Sequence, residues 1–103
     1  MVLFQPHTFS RTRALLNEFA DALGEADRVF ITEIFAAREH DSSGLSSRAI
    51  VERMTGKGAR FATTLDEAEK ILREELETGD VLLVLGAGNV NLVAKRLVEN
   101  VNA

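Results

Sequence analysis

Short apolar runs alternate with amphipathic segments four times along this 103-residue chain. The runs have the apolar character of buried parallel strands, and strands are predicted at residues 2–4, 28–35, 60–62 and 81–85. Each run is followed by a segment in which the apolar residues have helical spacing. Strand–helix repeats of this kind build a parallel sheet with right-handed crossovers and helices on both faces. We therefore predict an α/β fold, a Rossmann-like three-layer domain with a mainly parallel sheet and four strand–helix units in this chain.

Capping residues suggest where the helices begin and end. Ser10 is a suitable N-cap for a first helix that would run unbroken to Gly24. A second helix is expected from about residue 46. Thr64 and Glu67 form a capping box that opens the next helix, which Gly79 would end. These three helices and a fourth, at the end of the chain, would each bury one apolar stripe. In chain order the stripes are Leu15, Leu16, Phe19, Ala20 and Leu23; Ala49, Ile50 and Met54; Leu65, Ala68, Ile71, Leu72 and Leu76; and Val90, Val93, Leu97 and Val101.

The composition argues against several classes of protein. The chain has no cysteine, which excludes a disulfide framework and thiolate metal sites. Its two histidines, His7 and His40, lie far apart, so no metal site is predicted. The formal net charge is −4, unlike the basic footprint of a nucleic-acid-binding protein. No apolar run approaches the roughly 20 residues of a membrane span, and no signal-peptide pattern is seen, so we expect a cytoplasmic protein without nucleic-acid or membrane partners.

The position of the first strand bears on domain organisation. A chain of 103 residues is of ordinary size for one domain, and we assign residues 1–103 to a single domain. Its first strand is expected to lie in the interior of the sheet, yet that strand begins at residue 2. We therefore expect a fragment of a longer polypeptide. A complete short protein of the flavodoxin-like type is the alternative.

Residues 4–13, with the sequence FQPHTFSRTR, join the first strand to the first helix. The first-turn amides of a helix are unpaired and its dipole is positive there, which favours an anion. Arg11 and Arg13 are suited to bind a carboxylate or phosphate with paired hydrogen bonds, although they could also be solvated surface charges. Residues two apart on a helix point to different sides, so at most one is expected to face a ligand. Arg11, nearer the strand, is the better candidate.

Three other patterns have a structural interpretation beside a functional one. His7 could be a general base, but a lone histidine more often caps a turn. The charged segment 38–41 precedes Ser-Ser-Gly and is typical of a solvated loop. Residues 86–89, Gly-Ala-Gly-Asn, follow a strand as in a dinucleotide fingerprint, but Asn91 stands where the third glycine belongs and the later acidic residue is missing. We expect these glycines to allow close packing or to let backbone approach a ligand.

Three segments resemble the C-terminal domain of the Mur ligase family, in particular of the members that add L-alanine. Residues 4–12 look like its signature, residues 34–39 like the exit of its second strand, and residues 79–89 like its last strand and Gly-Ala-Gly turn. The resemblance implies a three-domain carbon–nitrogen ligase of peptidoglycan biosynthesis that uses ATP and Mg2+. In such an enzyme the N-terminal domain binds UDP-N-acetylmuramate and the central domain binds ATP. The muramoyl carboxylate is phosphorylated, and the amine of L-alanine attacks the acyl phosphate.

The resemblance also implies roles for residues of this chain. Arg11 would grip the alanine carboxylate, helped by Thr8, where some relatives have a second arginine, and His7 would shape the loop. No catalytic residue, cofactor or metal is expected in the chain itself. It would lack the first strand–helix unit of the domain and have no ligase activity alone. The turn that would approach the amino acid or the phosphates consists of Gly86, Ala87, Gly88 and Asn89.

The alternative function is that of a small non-catalytic flavodoxin-like domain that binds an anionic metabolite or a protein partner. Such a domain would have the same strands, the same arginines and no nucleotide motif. A Gly-rich P-loop upstream in the same reading frame would favour the ligase. A nicotinamide-binding half is disfavoured by the incomplete glycine pattern, and titration with reduced nicotinamide nucleotides would test it.

Overall fold

A four-stranded parallel sheet with helices on both faces forms the body of the chain in a computed structural model. The structure describes residues 1–35, 45–54, 59–86 and 88–101. No helix within these ranges is long and apolar enough to cross a membrane. The predicted α/β fold is confirmed. The elements are β1 (Val2–Phe4), α1 (Phe9–Ala14), α2 (Leu16–Leu23), β2 (Val29–Thr32), α3 (Arg48–Arg53), β3 (Ala59–Ala62), α4 (Leu65–Glu75), β4 (Leu83–Leu85) and α5 (Asn91–Val101).

β1 lies inside the sheet, whose strand order is β3-β2-β1-β4. It pairs in parallel with β2 on one side and with β4 on the other, so Val2 aligns with both Val29 and Leu83. β2 in turn pairs in parallel with β3. The interior position expected for the first strand is therefore confirmed. Because all four strands run the same way, their carboxyl ends meet at one edge, where ligands of such sheets bind.

Alternate residues of the strands pack against helices on opposite faces of the sheet. On one face, here called the α2/α3 face, Val2, Val29 and Ile31 are buried with residues of α2 and α3. On the other, the α4/α5 face, Leu3 and Phe30 are buried with residues of α4 and α5. The sheet is thus the middle of three layers. The members of the predicted apolar stripes that are buried are Ala20, Leu23, Ile50, Met54, Ala68, Leu72, Val90, Val93 and Leu97.

The first helical segment differs from the prediction of one helix beginning at Ser10. Thr8 is the N-cap of α1, and the helix breaks at Leu15, with φ −116° and ψ 19°, before α2 begins. The Thr12 hydroxyl donates a hydrogen bond to the Thr8 carbonyl oxygen at 2.7 Å. A hydroxyl bonded one turn back in this way bends a helix. Leu15 is 38% exposed and so lies outside the apolar stripe to which the prediction assigned it.

β2 is shorter than predicted: it ends at Thr32, whereas the predicted strand continued to residue 35. Pro6, which follows β1, has no N–H to donate, and the ladder between the two strands stops there. Pairing resumes as a single parallel bridge between His7 and Phe35. In this bridge the Phe35 N–H donates to the Pro6 carbonyl oxygen and the Thr8 N–H donates to the Phe35 carbonyl oxygen, each at 2.8 Å. Backbone hydrogen bonds beyond the sheet therefore fix the exit of β1 to the exit of β2.

The segment between α4 and β4 also differs from the prediction. α4 ends at Glu75 rather than at Gly79, and β4 begins at Leu83, two residues later than predicted. The Asp80 carboxylate accepts a hydrogen bond from the Glu77 N–H at 2.9 Å. This side-chain bond closes a turn in place of another helical turn. Gly79 lies in that turn with a φ of 95°, a conformation that glycine adopts without strain.

The N-cap predicted for α4 is confirmed. The Thr64 hydroxyl accepts a hydrogen bond from the Glu67 N–H at 3.0 Å. The Glu67 carboxylate accepts one from the Thr63 N–H at 2.9 Å, instead of from the N–H of Thr64 itself. Both ends of the capping box are therefore used, with its second bond displaced by one residue.

Replacement of the Thr64 hydroxyl tests this cap. We expect Thr64→Ala to lower the free energy of unfolding by about 1 kcal/mol, because the Glu67 N–H loses its partner. The matched control is Thr63→Ala, since only the backbone of Thr63 takes part in the cap, and its effect should stay within about 0.5 kcal/mol. Urea denaturation of the two variants measures both values. Equal losses would contradict the assignment of Thr64 as the N-cap.

Candidate functional site

The parallel strands bring residues from four connections to one edge of the sheet. Gln5 follows β1, Glu33 follows β2, Thr63 follows β3 and Gly86 follows β4. The connections after β1 and β4 contain residues that the sequence analysis singled out. The charged segment 38–41, interpreted there as a solvated loop, lies outside the described residues, and β2 already ends before Glu33.

The turn after β4 packs closely against the exit of β1. Gln5 is 6% exposed, and its side-chain amide donates a hydrogen bond to Asn89 Oδ1 at 3.1 Å. A Cβ on Gly86 would lie 2.6 Å from Val90 Cγ1, and a Cβ on Gly88 would lie 2.6 Å from Phe35 Cγ. Such distances leave no room for a side chain, so both glycines are required for packing. Of the two interpretations of the Gly-Ala-Gly turn, close packing is therefore observed, and its middle residue, Ala87, lies outside the described residues.

His7 is held in the β1–α1 connection by Phe35. Its ring stacks on the Phe35 ring, with centroids 5.8 Å apart and planes inclined by 16°. The backbone of the same two residues forms the bridge between the exits of β1 and β2. These contacts fix the conformation of the loop that leads into α1.

Thr8 has a strained backbone at the start of α1. Its φ of 61° and ψ of 148° belong to a region that is almost confined to glycine, and a β-branched residue is unfavourable there. The surrounding hydrogen bonds hold it: its hydroxyl accepts from the Arg11 N–H at 3.3 Å and its carbonyl accepts from the Thr12 hydroxyl. Thr8, rather than the predicted Ser10, thus caps the helix that carries Arg11.

Arg11 lies on α1, seven residues after the end of β1, and its side chain is exposed. Its backbone N–H is bonded to Thr8, but its guanidinium makes no ion pair or hydrogen bond with any residue that the structure describes. Arg13, by contrast, already makes an interaction within the chain. Between the two arginines, the charge of Arg11 is therefore the one available to an anionic ligand.

A cavity of about 270 Å³ opens at the same edge of the sheet. Its lining includes Gln5, Phe35, Thr63 and Asn89, and the lining residues do not include His7, Thr8 or Arg11. The predicted site residues therefore do not converge on one pocket. Phe35 lines the cavity and also stacks on His7, so the cavity and the loop that carries Arg11 adjoin one another. The volume falls just below the usual range for ligand pockets and suits a small polar molecule.

Glu33 is a residue of this edge that the sequence analysis did not single out. Its carboxylate accepts hydrogen bonds from the Ser47 N–H at 3.3 Å and from the Ser46 hydroxyl at 3.2 Å. These bonds tie the exit of β2 to the start of α3. Glu33 is the one charged residue in the apolar run 29–35, and this could have indicated that the strand ends before it. The whole run was predicted to be a strand.

The cavity and the loop provide few groups for acid–base or metal chemistry. Among the described ranges, no group of three or more His, Cys, Asp or Glu side chains is placed to hold a metal ion. The edge does offer a guanidinium, hydroxyl groups and amide groups, which bind and orient polar ligands. The cavity, lined also by the Glu33 carboxylate, is suited to a small polar molecule, and the Arg11 guanidinium on the adjoining loop is suited to a carboxylate or phosphate. His40 and the rest of residues 36–44 lie outside the described residues.

Two substitutions of Thr8 separate the effect of its backbone strain on stability from the effect of its helix cap. We expect Thr8→Gly to raise the free energy of unfolding by about 1 kcal/mol. Glycine relieves the backbone strain, and as an N-cap it is only a few tenths of a kcal/mol less favourable than threonine. Thr8→Ala keeps the strain and loses the cap, so it should lower that free energy by about 1 kcal/mol. Denaturant unfolding monitored by circular dichroism measures both changes. If both variants shift stability in the same direction, Thr8 is not strained as described.

Comparison with known proteins identifies the family. The family model for the Mur ligase glutamate ligase domain matches residues 1–88. UDP-N-acetylmuramate–L-alanine ligase from Agathobacter rectalis is 44% identical over 101 residues, which cover 96% of this chain and 22% of that protein. The ligases of the same name from Caldanaerobacter subterraneus subsp. tengcongensis and Acidobacterium capsulatum are each 41% identical, over 96% and 99% of this chain and 22% of their own length.

The matches extend over the loop, the sheet edge and the turn described above. This chain spans about a fifth of the length of these curated relatives. The resemblance of residues 4–12, 34–39 and 79–89 to one family is therefore confirmed by similarity along nearly the whole sequence. The chain belongs to the Mur ligase family, within its glutamate ligase domain.

Proposed function

We propose that this chain is the amino-acid-binding domain of an ATP-dependent ligase that joins L-alanine to UDP-N-acetylmuramate in peptidoglycan biosynthesis. The observation that carries the proposal is that ligases bearing this name match nearly the whole chain at 41–44% identity. The strand-end loop and the guanidinium of Arg11, which has no partner among the described residues, support it independently. A non-catalytic flavodoxin-like binding domain has no comparable support.

Arg11 is proposed to bind the carboxylate of L-alanine. This amino acid offers only a carboxylate, an amine and a methyl group, and its amine has to remain free to react. A guanidinium can hold a carboxylate through two parallel hydrogen bonds, which fix its orientation as well as its position. Arg11 is exposed and its guanidinium is unpaired within the described part of the chain. The Thr8 hydroxyl already caps α1, so the grip depends mainly on Arg11, with His7 shaping the loop.

The proposed contribution of this domain to the reaction is positional. Bond formation requires the alanine amine to face the activated muramoyl carboxylate at close range, with water excluded. The closely packed turn at residues 86–89 supports a second contact with the amino acid or the phosphates, since Asn89 lines the cavity beside this loop. No residue of this chain is assigned a catalytic proton transfer.

ATP, Mg2+ and UDP-N-acetylmuramate are assigned to parts of the enzyme outside this chain. ATP supplies the phosphoryl group that activates the muramoyl carboxylate, and Mg2+ is bound with it by the central domain. The described residues of this chain do not fit a metal site, because they contain no suitable cluster of ligands. Residues 1–103 would form most of the C-terminal domain of a cytoplasmic enzyme, without its first strand–helix unit. The isolated chain would then have no ligase activity.

Substitution of Arg11 in the full-length enzyme tests the carboxylate role. We expect Arg11→Ala to raise the KM for L-alanine by about 10- to 100-fold, the range for loss of a charge-assisted hydrogen bond. The KM for ATP should change by less than about threefold, because that site is elsewhere. Steady-state kinetics with each substrate varied in turn measure both constants.

Arg13→Ala is the matched control for this experiment. It removes the same charge from the same helix, at a residue that already has an interaction within the chain. Its KM for L-alanine should stay near the wild-type value. Equal increases for L-alanine and ATP in the Arg11 variant, or equal effects of the two substitutions, would refute carboxylate binding by Arg11.

A further inference from the structure

The cavity at the carboxyl edge of the sheet contains a negative charge that no described residue balances. Glu33 is the one charged residue among the described residues that line it. Its carboxylate makes no ion pair with any lysine, arginine or histidine that the structure describes. A charge left without a counter-charge in a cavity attracts a ligand of the opposite sign.

Hydrogen bonds within the chain use mainly one oxygen of this carboxylate. Glu33 Oε1 accepts from the Ile34 N–H at 3.2 Å, the Ser47 N–H at 3.3 Å and the Ser46 hydroxyl at 3.2 Å. Its Oε2 has only a 3.5 Å contact with the same hydroxyl. An ionised carboxylate has about four acceptor positions, so Oε2 can still accept from a ligand. The bonds to Oε1 hold the carboxylate in a fixed position at the cavity.

Gln5 provides a second unused acceptor in the cavity wall. Its side chain is 6% exposed, and its Nε2 donates to Asn89 Oδ1, whereas its Oε1 is buried and has no partner in the described part of the chain. This oxygen lies beside Gly88, as does the ring of Phe35, which also lines the cavity. Buried acceptors in native structures are nearly always paired with a donor. A ligand that carries N–H groups would supply the missing donor.

Donors at the start of α4, which lies at the same cavity, are already occupied. The Thr63 N–H donates to the Glu67 carboxylate, and the Glu67 N–H donates to the Thr64 hydroxyl. An anion in the cavity would therefore meet the charge of Glu33 without these donors to offset it. The lining favours a cation with N–H groups, such as an ammonium group.

The adjoining loop carries the opposite charge. The guanidinium of Arg11 is exposed and has no partner among the described residues. His7 of the same loop stacks on Phe35 at the cavity wall, so the two charges belong to neighbouring parts of one surface. An α-amino acid carries its carboxylate and its ammonium group on the same carbon. Its zwitterion is therefore complementary to adjoining positive and negative sites.

We propose that Glu33 binds the ammonium group of the amino-acid substrate in this cavity, with Gln5 Oε1 as a second acceptor, while Arg11 binds its carboxylate. The inference rests on the proposed function, which assigns no residue to the nitrogen of the amino acid. An ammonium group has three N–H groups, so two acceptors leave one position of the nitrogen open for the reaction. Contacts at both charged ends fix the direction in which the amino acid lies, which contacts at the carboxylate alone do not.

Substitution of Glu33 in the full-length enzyme tests this inference. Glu33→Gln removes the charge but keeps an acceptor oxygen for the Ser47 N–H, so the link between β2 and α3 is retained. We expect the KM for L-alanine to rise about 10-fold, as for loss of a charge-assisted hydrogen bond, and the KM for ATP to change by less than about threefold. Glu33→Asp, which keeps the charge, should recover part of the loss.

A competitor without an amine separates binding of the ammonium group from a structural effect. Propionate has the carboxylate and the carbon chain of alanine but no nitrogen. Its inhibition constant, measured in competition with L-alanine, is divided by the KM for L-alanine. We expect this ratio to be about 10 in the wild-type enzyme and near 1 in Glu33→Gln, because the variant weakens only the ligand that has an ammonium group.

Glu67→Gln is the matched control. It removes the same charge at the same edge of the sheet, but Glu67 does not belong to the cavity lining, so both constants should stay near the wild-type values. If Glu33→Gln perturbs folding, Glu33→Asp and Glu33→Asn provide the same comparison of charge at one side-chain length. Circular dichroism of each variant shows whether it is folded.

A ratio that is the same in the wild-type enzyme and in Glu33→Gln would overturn the inference, and absence of inhibition by propionate in both counts as the same ratio. Equal effects of the substitutions at Glu33 and Glu67 would also overturn it. Either result leaves the proposed function in place, provided that the wild-type enzyme uses L-alanine. Absence of turnover with L-alanine in the wild-type enzyme would refute the proposed function and this inference together.

Discussion

The backbone bridge between His7 and Phe35 is the interaction on which the candidate site depends. Pro6 stops the ladder between β1 and β2, and without this bridge the two exits would be joined only through the sheet. Phe35 also stacks on the His7 ring and fills the space that a side chain at Gly88 would need. One aromatic residue thus connects the exits of β1 and β2 to the turn after β4. The position of α1, and of Arg11 on it, follows from this contact.

The conformation of Thr8 is a consequence of that bridge. The chain has to leave the bridge at His7 and begin a helix at Phe9, which leaves one residue to change direction. Glycine would adopt the required φ without strain, but it has no hydroxyl to accept the Arg11 N–H. Threonine combines a strained backbone with a helix cap, and strain of this kind is concentrated at ligand sites. The strained backbone of Thr8, kept at a residue that also caps the helix, therefore supports a functional role for the loop.

The sequence predicts the layers of this fold well because each strand and most helical stripes have a clear period. It predicts the ends of elements less well, because single side chains decide them. Pro6 shortens the pairing of β2, the Thr12 hydroxyl bends the first helix, and the Asp80 carboxylate turns the chain after α4. Glu33 was missed for the same reason, since its bonds to α3 depend on residues distant in the sequence. Arg11 was singled out from the type of residue and its place after β1, and its role as a ligand-binding residue stays a prediction.

Residues 81–85 have the composition of a strand that is covered on both faces, whereas the described residues pack against only one of its faces. A strand that is apolar on both faces is typical of a parallel sheet with helices on both sides. In this chain the even positions, Leu82 and Val84, are packed and the odd ones are exposed, although both sets are equally apolar. A strand selected for an edge would have charged residues on its open face. Within the described part of the chain, the apolar odd positions therefore form an uncovered apolar row at the β4 edge of the α2/α3 face.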